Sequence, residues 1–317
     1  SKTKKPQWKF PWLQAIAGLI ILVGVTVFVY PQTAAWFSQK EQSRIIALGI
    51  TEMEKPPNNE EAHRVAELQK AHAYNDALIS GASLDANARK PTGTSGDQGL
   101  LRYQDLLNLT DTGLMGRVKY DKLAIDLPIY HGTSDETLDM GIGHLEGTSL
   151  PIGGIGTRSV LTAHRGLASA TMFNNLDKAV IGDRFTVETF GEVLTYQVVK
   201  TQVIAPEDTE QLSADPERDL VTLVTCTPLG INSHRILVTA ERVTPTPIED
   251  LENAGKISEL PGFPWWTVIL GGTVIAGIGY VWWAGYPAKP KKAKKGTTGD
   301  DTSDVTSGAD PVQETVS

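Results

Sequence analysis

Thr222 to Val238 reads "TLVTCTPLGINSHRILV" and holds Cys226, the only cysteine in the 317-residue chain. Two apolar runs flank a segment broken by Pro228 and Gly230. Runs of β-branched residues bounded by turn formers read as strands. The stretch therefore predicts a strand ending at Cys226, a loop over Thr227–His234 and a return strand opened by Arg235. If the two strands pair as a hairpin, Arg235 comes back beside Cys226. A lone cysteine in a β run is ordinarily a small core hydrophobe. A thiol at a strand end beside a guanidinium is a candidate nucleophile. The stretch alone leaves both readings open.

Working outward, the same strand signal recurs from Gly116 onward in "GRVKYDKLAIDLPIY", "TRSVLTAH", "DRFTVETF", "EVLTYQVVKTQVIAP", "DLVTLVTC" and "HRILVTAERV". Gly, Pro, Asn or Asp separate these runs, and "TMFNNLDKA" predicts a short helix between two of them. Many short strands with turn punctuation predict a mainly β domain, a closed barrel or a sandwich. Upstream, residues 33–80 read as helical. Asn58 or Asn59 is the expected cap, Glu60 and Glu61 fall in the first turn, and Val65, Leu68, Ala71 and Leu78 recur at helical spacing. Gly81 to Gly99 is rich in Gly, Ser, Thr and Asn and reads as a long loop, a lid or linker by its length.

Two uncharged runs bracket these elements, "FPWLQAIAGLIILVGVTVFVY" at Phe10–Tyr30 and "FPWWTVILGGTVIAGIGYVWW" at Phe263–Trp283. Each is long enough to cross a bilayer as a helix. Lys2, Lys4, Lys5 and Lys9 precede the first, and "KPKKAKK" at Lys289–Lys295 follows the second. Cytoplasmic flanks carry the excess of Lys and Arg. Both termini are thus expected in the cytoplasm, with residues of about 31–262 facing outward and the chain a two-span protein of the cell membrane. A cleaved signal peptide is the alternative for the first run, which is longer than a signal core. Trp265, Trp266, Trp282, Trp283 and Tyr286 stand where an aromatic belt would.

The expected organisation is a cytoplasmic N-terminus over 1–9, a membrane helix over 10–30 and extracytoplasmic helices over 31–80. A lid loop over 81–99, a catalytic β domain over 100–245 and a linker over 246–262 follow. A membrane helix over 263–283 and a basic, then disordered, tail over 284–317 complete it. The net charge of −8 argues against nucleic acid as a main partner. One cysteine excludes an internal disulfide framework and a Cys-rich zinc site. No calcium-loop pattern of Asp and Glu is evident, no cofactor is implied, and nothing in the sequence sets an oligomeric state.

The candidate chemistry gathers at strand ends. Cys226 ends one run, His164 ends "SVLTAH", and Arg235 opens a third. A thiolate is a strong nucleophile near neutral pH. An imidazole can protonate a leaving amine and deprotonate an incoming one, and a fixed guanidinium can hold an oxyanion. Acyl transfer through a thioester is the reaction class this set serves. The other histidines compete for the base. His63 and His72 lie on the upstream helix, His131 and His144 in turn-rich segments suited to structural hydrogen bonds. His234 is adjacent to Arg235 and so points to the opposite face of an extended strand.

"TLVTCTPLGINSHRILV" and "SVLTAHRG" resemble the two signature segments of sortases. With "LPIYHGT" and "GHLEGTSLPIGGIGTRSVLTAHRG" they are similar to a class C, pilus-assembling sortase over about Asn75–Val243. The resemblance implies an eight-stranded sortase β-barrel and a catalytic set of Cys226, His164 and Arg235. It assigns substrate contact to Thr225 and Leu229. It also implies a Gram-positive cell surface and a substrate class. An LPXTG-like sorting signal would be cleaved between Thr and Gly, held as a thioester on Cys226 and passed to a lysine amine of the next pilin.

Two departures stand out. Class C sortases usually carry a lid with an Asp-Pro-aromatic motif, and Gly81–Gly99 has none. Asp85 in "SLDANA" is the candidate surrogate partner for Arg235, without the Pro or the aromatic. Leu229 stands where pilin-type enzymes often have an aromatic. Two other functions remain open: a sortase joining surface proteins to a peptidoglycan amine, and a non-catalytic membrane-anchored β scaffold.

Overall fold

A computed structural model describes residues 7–81 and 102–287 of the chain. The loop of residues 82–99, with Asp85, and the basic run Lys289–Lys295 lie outside the described residues. Helix α1 (Trp12–Met53) and helix α2 (Glu61–Gly81) come first. Eight strands follow: β1 (Leu114–Tyr120), β2 (Ile125–His131), β3 (Ile142–His144), β4 (Arg158–Thr162), β5 (Arg184–Thr189), β6 (Glu192–Ile204), β7 (Leu220–Thr227) and β8 (His234–Arg242). A short helix α3 (Asp135–Met140) joins β2 to β3, and α4 (Ile248–Asn253) and α5 (Trp265–Ala284) close the described chain. The strands form one closed barrel in the order β1-β2-β3-β4-β7-β8-β6-β5. The pairs β2–β3 and β4–β7 are parallel and all others antiparallel.

Closure leaves no free sheet edge and gives the strands an inside and an outside. Leu161, Val187, Val198, Val221, Leu223, Ile236 and Val238 are buried in one large cluster inside. Val160, Val224 and Leu237 point the other way and form a second, smaller apolar cluster on the outer face of β4, β7 and β8.

Several expectations need correction. Asn58 and Asn59 do not open the second helix. Their side-chain amides donate to the carbonyls of Glu52 and Glu54 at 3.2 Å, so they close α1 instead. The helix expected at "TMFNNLDKA" is a single 3-10 turn over Leu176–Lys178. β3 carries no strand signal. With three residues it is held by its neighbours, pairing Tyr130 with Gly143 on one side and His144 with Leu161 on the other.

Two buried polar groups fasten the barrel. The Arg117 guanidinium grips Asp126 through two bonds, Nε to Oδ1 at 2.6 Å and Nη2 to Oδ2 at 2.7 Å, while Nη1 donates to the Lys256 carbonyl. His144 is fully buried, with Nδ1 2.9 Å from the Tyr103 hydroxyl and Nε2 2.8 Å from the Ser149 carbonyl. Burial pushes its pKa down to about 4, against an ordinary 6.5.

Asp126→Ala leaves the buried guanidinium with Glu188, 3.7 Å from Nη1, as its remaining close carboxylate and is expected to cost about 3 kcal/mol. The check is urea unfolding of the chain in detergent, followed by circular dichroism of the strands. For His144 the unfolded ring takes a proton near pH 6.5 and the folded ring only near pH 4, so acid favours the unfolded chain over that interval. The group is expected to remove about 3 kcal/mol of stability between those limits. The difference in slope between the natural chain and His144→Asn over the same pH range measures it.

Candidate active site

The site is built around β7. Cys226 stands opposite Arg235 of β8, and Thr227 opposite His234. On its other side β7 runs parallel to β4, with Thr162 beside Val224. The Ala163 amide continues that ladder onto the Val224 carbonyl at 3.2 Å. His164 therefore arrives level with Cys226, each two residues beyond a paired position. Side chains alternate along a strand. Cys226 shares the outward face with Val224, and Arg235 with Leu237. The ladder thus brings Cys226, Arg235 and His164 to one end of the outer apolar strip, to which Leu145, Ile204 and Leu212 add.

Cys226 is half-buried. Nη1 of Arg235 donates to the carbonyls of Asn232 at 2.8 Å and His234 at 3.0 Å, which pins the planar group at the mouth of its own loop. The His164 carbonyl accepts from the Phe173 amide at 3.0 Å. Its Nε2 lies 3.9 Å from Asp139 Oδ1, too long for a hydrogen bond.

Thr225 is fully buried, and its hydroxyl donates to the Ala163 carbonyl at 2.7 Å. It is a strut between β7 and the end of β4, turned to the opposite face of the strand from Cys226 and too buried to touch a substrate. Leu229 is 56% exposed in the β7–β8 loop and rests over Gly166. A β-carbon on Gly166, whose φ is +81°, would meet Leu229 Cδ2 at 2.8 Å. His131 and His144 are structural hydrogen-bonders, the former between the carbonyls of Gly113 and Leu106. His72 and His234 are exposed and His63 partly so.

Arg165 plays a part that sequence reasoning missed. Its guanidinium pairs with Asp177 at 2.8 Å, donates to Thr227 Oγ1 at 3.2 Å and, through Nε, to the Asn174 carbonyl at 3.3 Å. Asn174 in turn accepts from the Gly166 amide at 2.6 Å. The segment after His164 is thereby tied to the residue after Cys226. The signal was its place beside His164, which spacing alone gives no role. Among the described residues no cluster of three or more His, Cys, Asp or Glu is placed to hold a metal.

The Sortase domain family matches residues 118–243. A curated relative, Sortase D of Bacillus subtilis, is 29% identical over 133 residues, 41% of this chain, and the chain spans 64% of its length. Among solved structures, sortase C-1 from Actinomyces oris is 44% identical with a TM-score of 0.51, over 57% of this chain and 98% of that one. Sortase C1 of GBS Pilus Island 1 is 40% identical with a TM-score of 0.52, over 59% of this chain and 86% of that one.

Thr225→Val keeps the shape and removes the bond to Ala163, leaving a buried carbonyl unmet. It is expected to cost about 1–3 kcal/mol. Thermal unfolding followed by circular dichroism reads this loss.

Proposed function

Because the chain belongs to the sortase family, we propose that it is a membrane-anchored cysteine transpeptidase that joins pilin subunits through LPXTG-like sorting signals. The observation that carries this reading is the register: Cys226 paired with Arg235 on one side and level with His164 on the other.

The Cys226 thiolate attacks the carbonyl carbon of the scissile Thr–Gly bond. The oxyanion that forms takes hydrogen bonds from Arg235. His164 gives its proton to the leaving glycine amine, the C–N bond breaks and the acyl group stays as a thioester on Cys226. A lysine amine then loses a proton to His164 as it attacks the thioester carbonyl. The C–S bond breaks and a new amide joins the two subunits. The resemblance to a sortase from a pilus island favours a pilin lysine as acceptor.

Anchoring rests on α1 and α5, which among the described residues are the two helices long and apolar enough to cross a bilayer. All seven tryptophans (Trp8, Trp12, Trp36, Trp265, Trp266, Trp282 and Trp283) lie on or beside them, and none is in the barrel. Both termini would be cytoplasmic and the barrel outside.

Incubated with an LPXTG-type peptide, the natural chain is expected to gain the mass of the acyl fragment on Cys226, and Cys226→Ala to gain none. With a pilin, covalent multimers form a ladder. Transfer only to a cell-wall peptide would instead favour attachment to peptidoglycan. Arg235→Lys keeps the charge but loses the planar fork and is expected to lower kcat by about 10²-fold.

A further inference from the structure

The direction of α1 decides which end of the barrel faces the anchor. Gln42 Nε2 meets Met172 Sδ at 3.1 Å. Met172 precedes Phe173, whose amide bonds the His164 carbonyl, so Gln42 lies at the catalytic end. Further on, Gly49 lies against Leu114 at the start of β1, and Met53 beside Gly191 in the β5–β6 turn, both at the opposite end. The helix therefore runs down the barrel from the catalytic end, and its apolar half, Trp12–Tyr30, projects beyond that end.

The chain leading to α5 takes the reverse path. Gly255 bonds Glu188 and the Lys256 carbonyl bonds Arg117 on the barrel flank; the Leu260 carbonyl then meets the Ser43 hydroxyl, and the Gly262 carbonyl meets Trp36. The two apolar helices run side by side, with Lys9 and Trp8 bonded to Gly285 and Trp282. An aromatic cluster of Trp36, Phe37 and Trp266 sits where interfacial rings belong. Trp36 is six residues from Gln42, about 9 Å along a helix.

The catalytic end also carries open apolar side chains. Leu229 and Ile231 lie in the β7–β8 loop. Val203 adjoins Ile204, which pairs with Arg235, and Ile181 lies in the turn entering β5. Ile231, Ile181 and Val203 are 73%, 69% and 60% exposed. Exposure alone does not choose the end, because Ile155 at the far end is 72% exposed. The course of α1 does. From these contacts we infer that the catalytic end of the barrel faces the bilayer, and that its apolar rim of Leu229, Ile231, Val203 and Ile181 rests against the lipid surface. This rests on the membrane-anchored reading of α1 and α5. The thiol is then presented to peptide emerging from the membrane rather than to the open medium.

The chain has one native cysteine, so Cys226→Ala supplies a background for single-site labelling. The full chain is placed in vesicles of phosphatidylcholine and phosphatidylglycerol containing lipids with a nitroxide headgroup. A fluorophore is attached at Ile231→Cys, Ile181→Cys, Ile155→Cys or Val27→Cys. Quenching at positions 231 and 181 is expected to exceed that at 155 several-fold. Equal quenching at the two ends, or stronger quenching at 155, overturns the orientation while a quenched label at 27 keeps the anchor intact. An unquenched label at 27 overturns the anchor itself, and the orientation with it.

Discussion

The hydrogen-bonded ladder that joins β4, β7 and β8 is the constraint on which the site depends. β7 is paired on both edges, parallel to β4 and antiparallel to β8. Each pairing sets one distance along the strand and one choice of face. Because side chains alternate, a slip of one residue would turn Cys226 into the barrel and carry Thr225 out. The buried Thr225 hydroxyl, bonded to the Ala163 carbonyl, opposes that slip at the point where the β4 ladder ends and His164 begins. The outer residues Val224, Val160 and Leu237 oppose it as well, since they cluster on the same face as the thiol.

How much of this was legible follows from how local each contact is. The Cys226–Arg235 neighbourhood could be read because a hairpin is local, and the two residues flank one loop. The placing of His164 could not be derived from spacing. β4 reaches β7 by a parallel pairing across some sixty residues of intervening chain. The place of His164 at a strand end made it the best-placed histidine, and the likeness of "SVLTAHRG" to a known family decided among the candidates. The lone thiol, read by itself as a core hydrophobe, lies half-buried at a strand end. β3 was invisible because three residues hold no pattern, and its strand character comes from two neighbours. The asparagines before α2 were misread for a related reason. Both ends of a helix offer unmet backbone groups, and here the carbonyls ending α1 were the nearer partners. Arg165 has no signature of its own, because its three partners are brought together only by the closed barrel.

The two long apolar helices were plain in the sequence, since twenty uncharged residues need no tertiary context to be recognised. Their direction relative to the site was not. It depends on Gln42 meeting Met172 and on Gly49 meeting Leu114, contacts between segments far apart in the chain. Composition can say that a chain carries long apolar helices; their packing along the barrel says which end they leave from.

The outer strip of β4, β7 and β8 joins these observations physically. Apolar side chains on the outside of a barrel gain little from folding unless something covers them. The main core is inside, and the barrel closes without Val160, Val224 or Leu237. Leu145, Ile204 and Leu212 supply that cover, and with Val160, Val224 and Leu237 all buried they make a second, smaller core outside the first. That core ends beside Cys226, and Cys226 lies at the end of the barrel from which α1 departs. On the proposed membrane-anchored reading, that end of the barrel lies near the bilayer surface. A peptide held by its own membrane segment would then reach the thiol more readily than a soluble peptide of the same sequence, so the path of α1 along the barrel bears on which substrate the site meets.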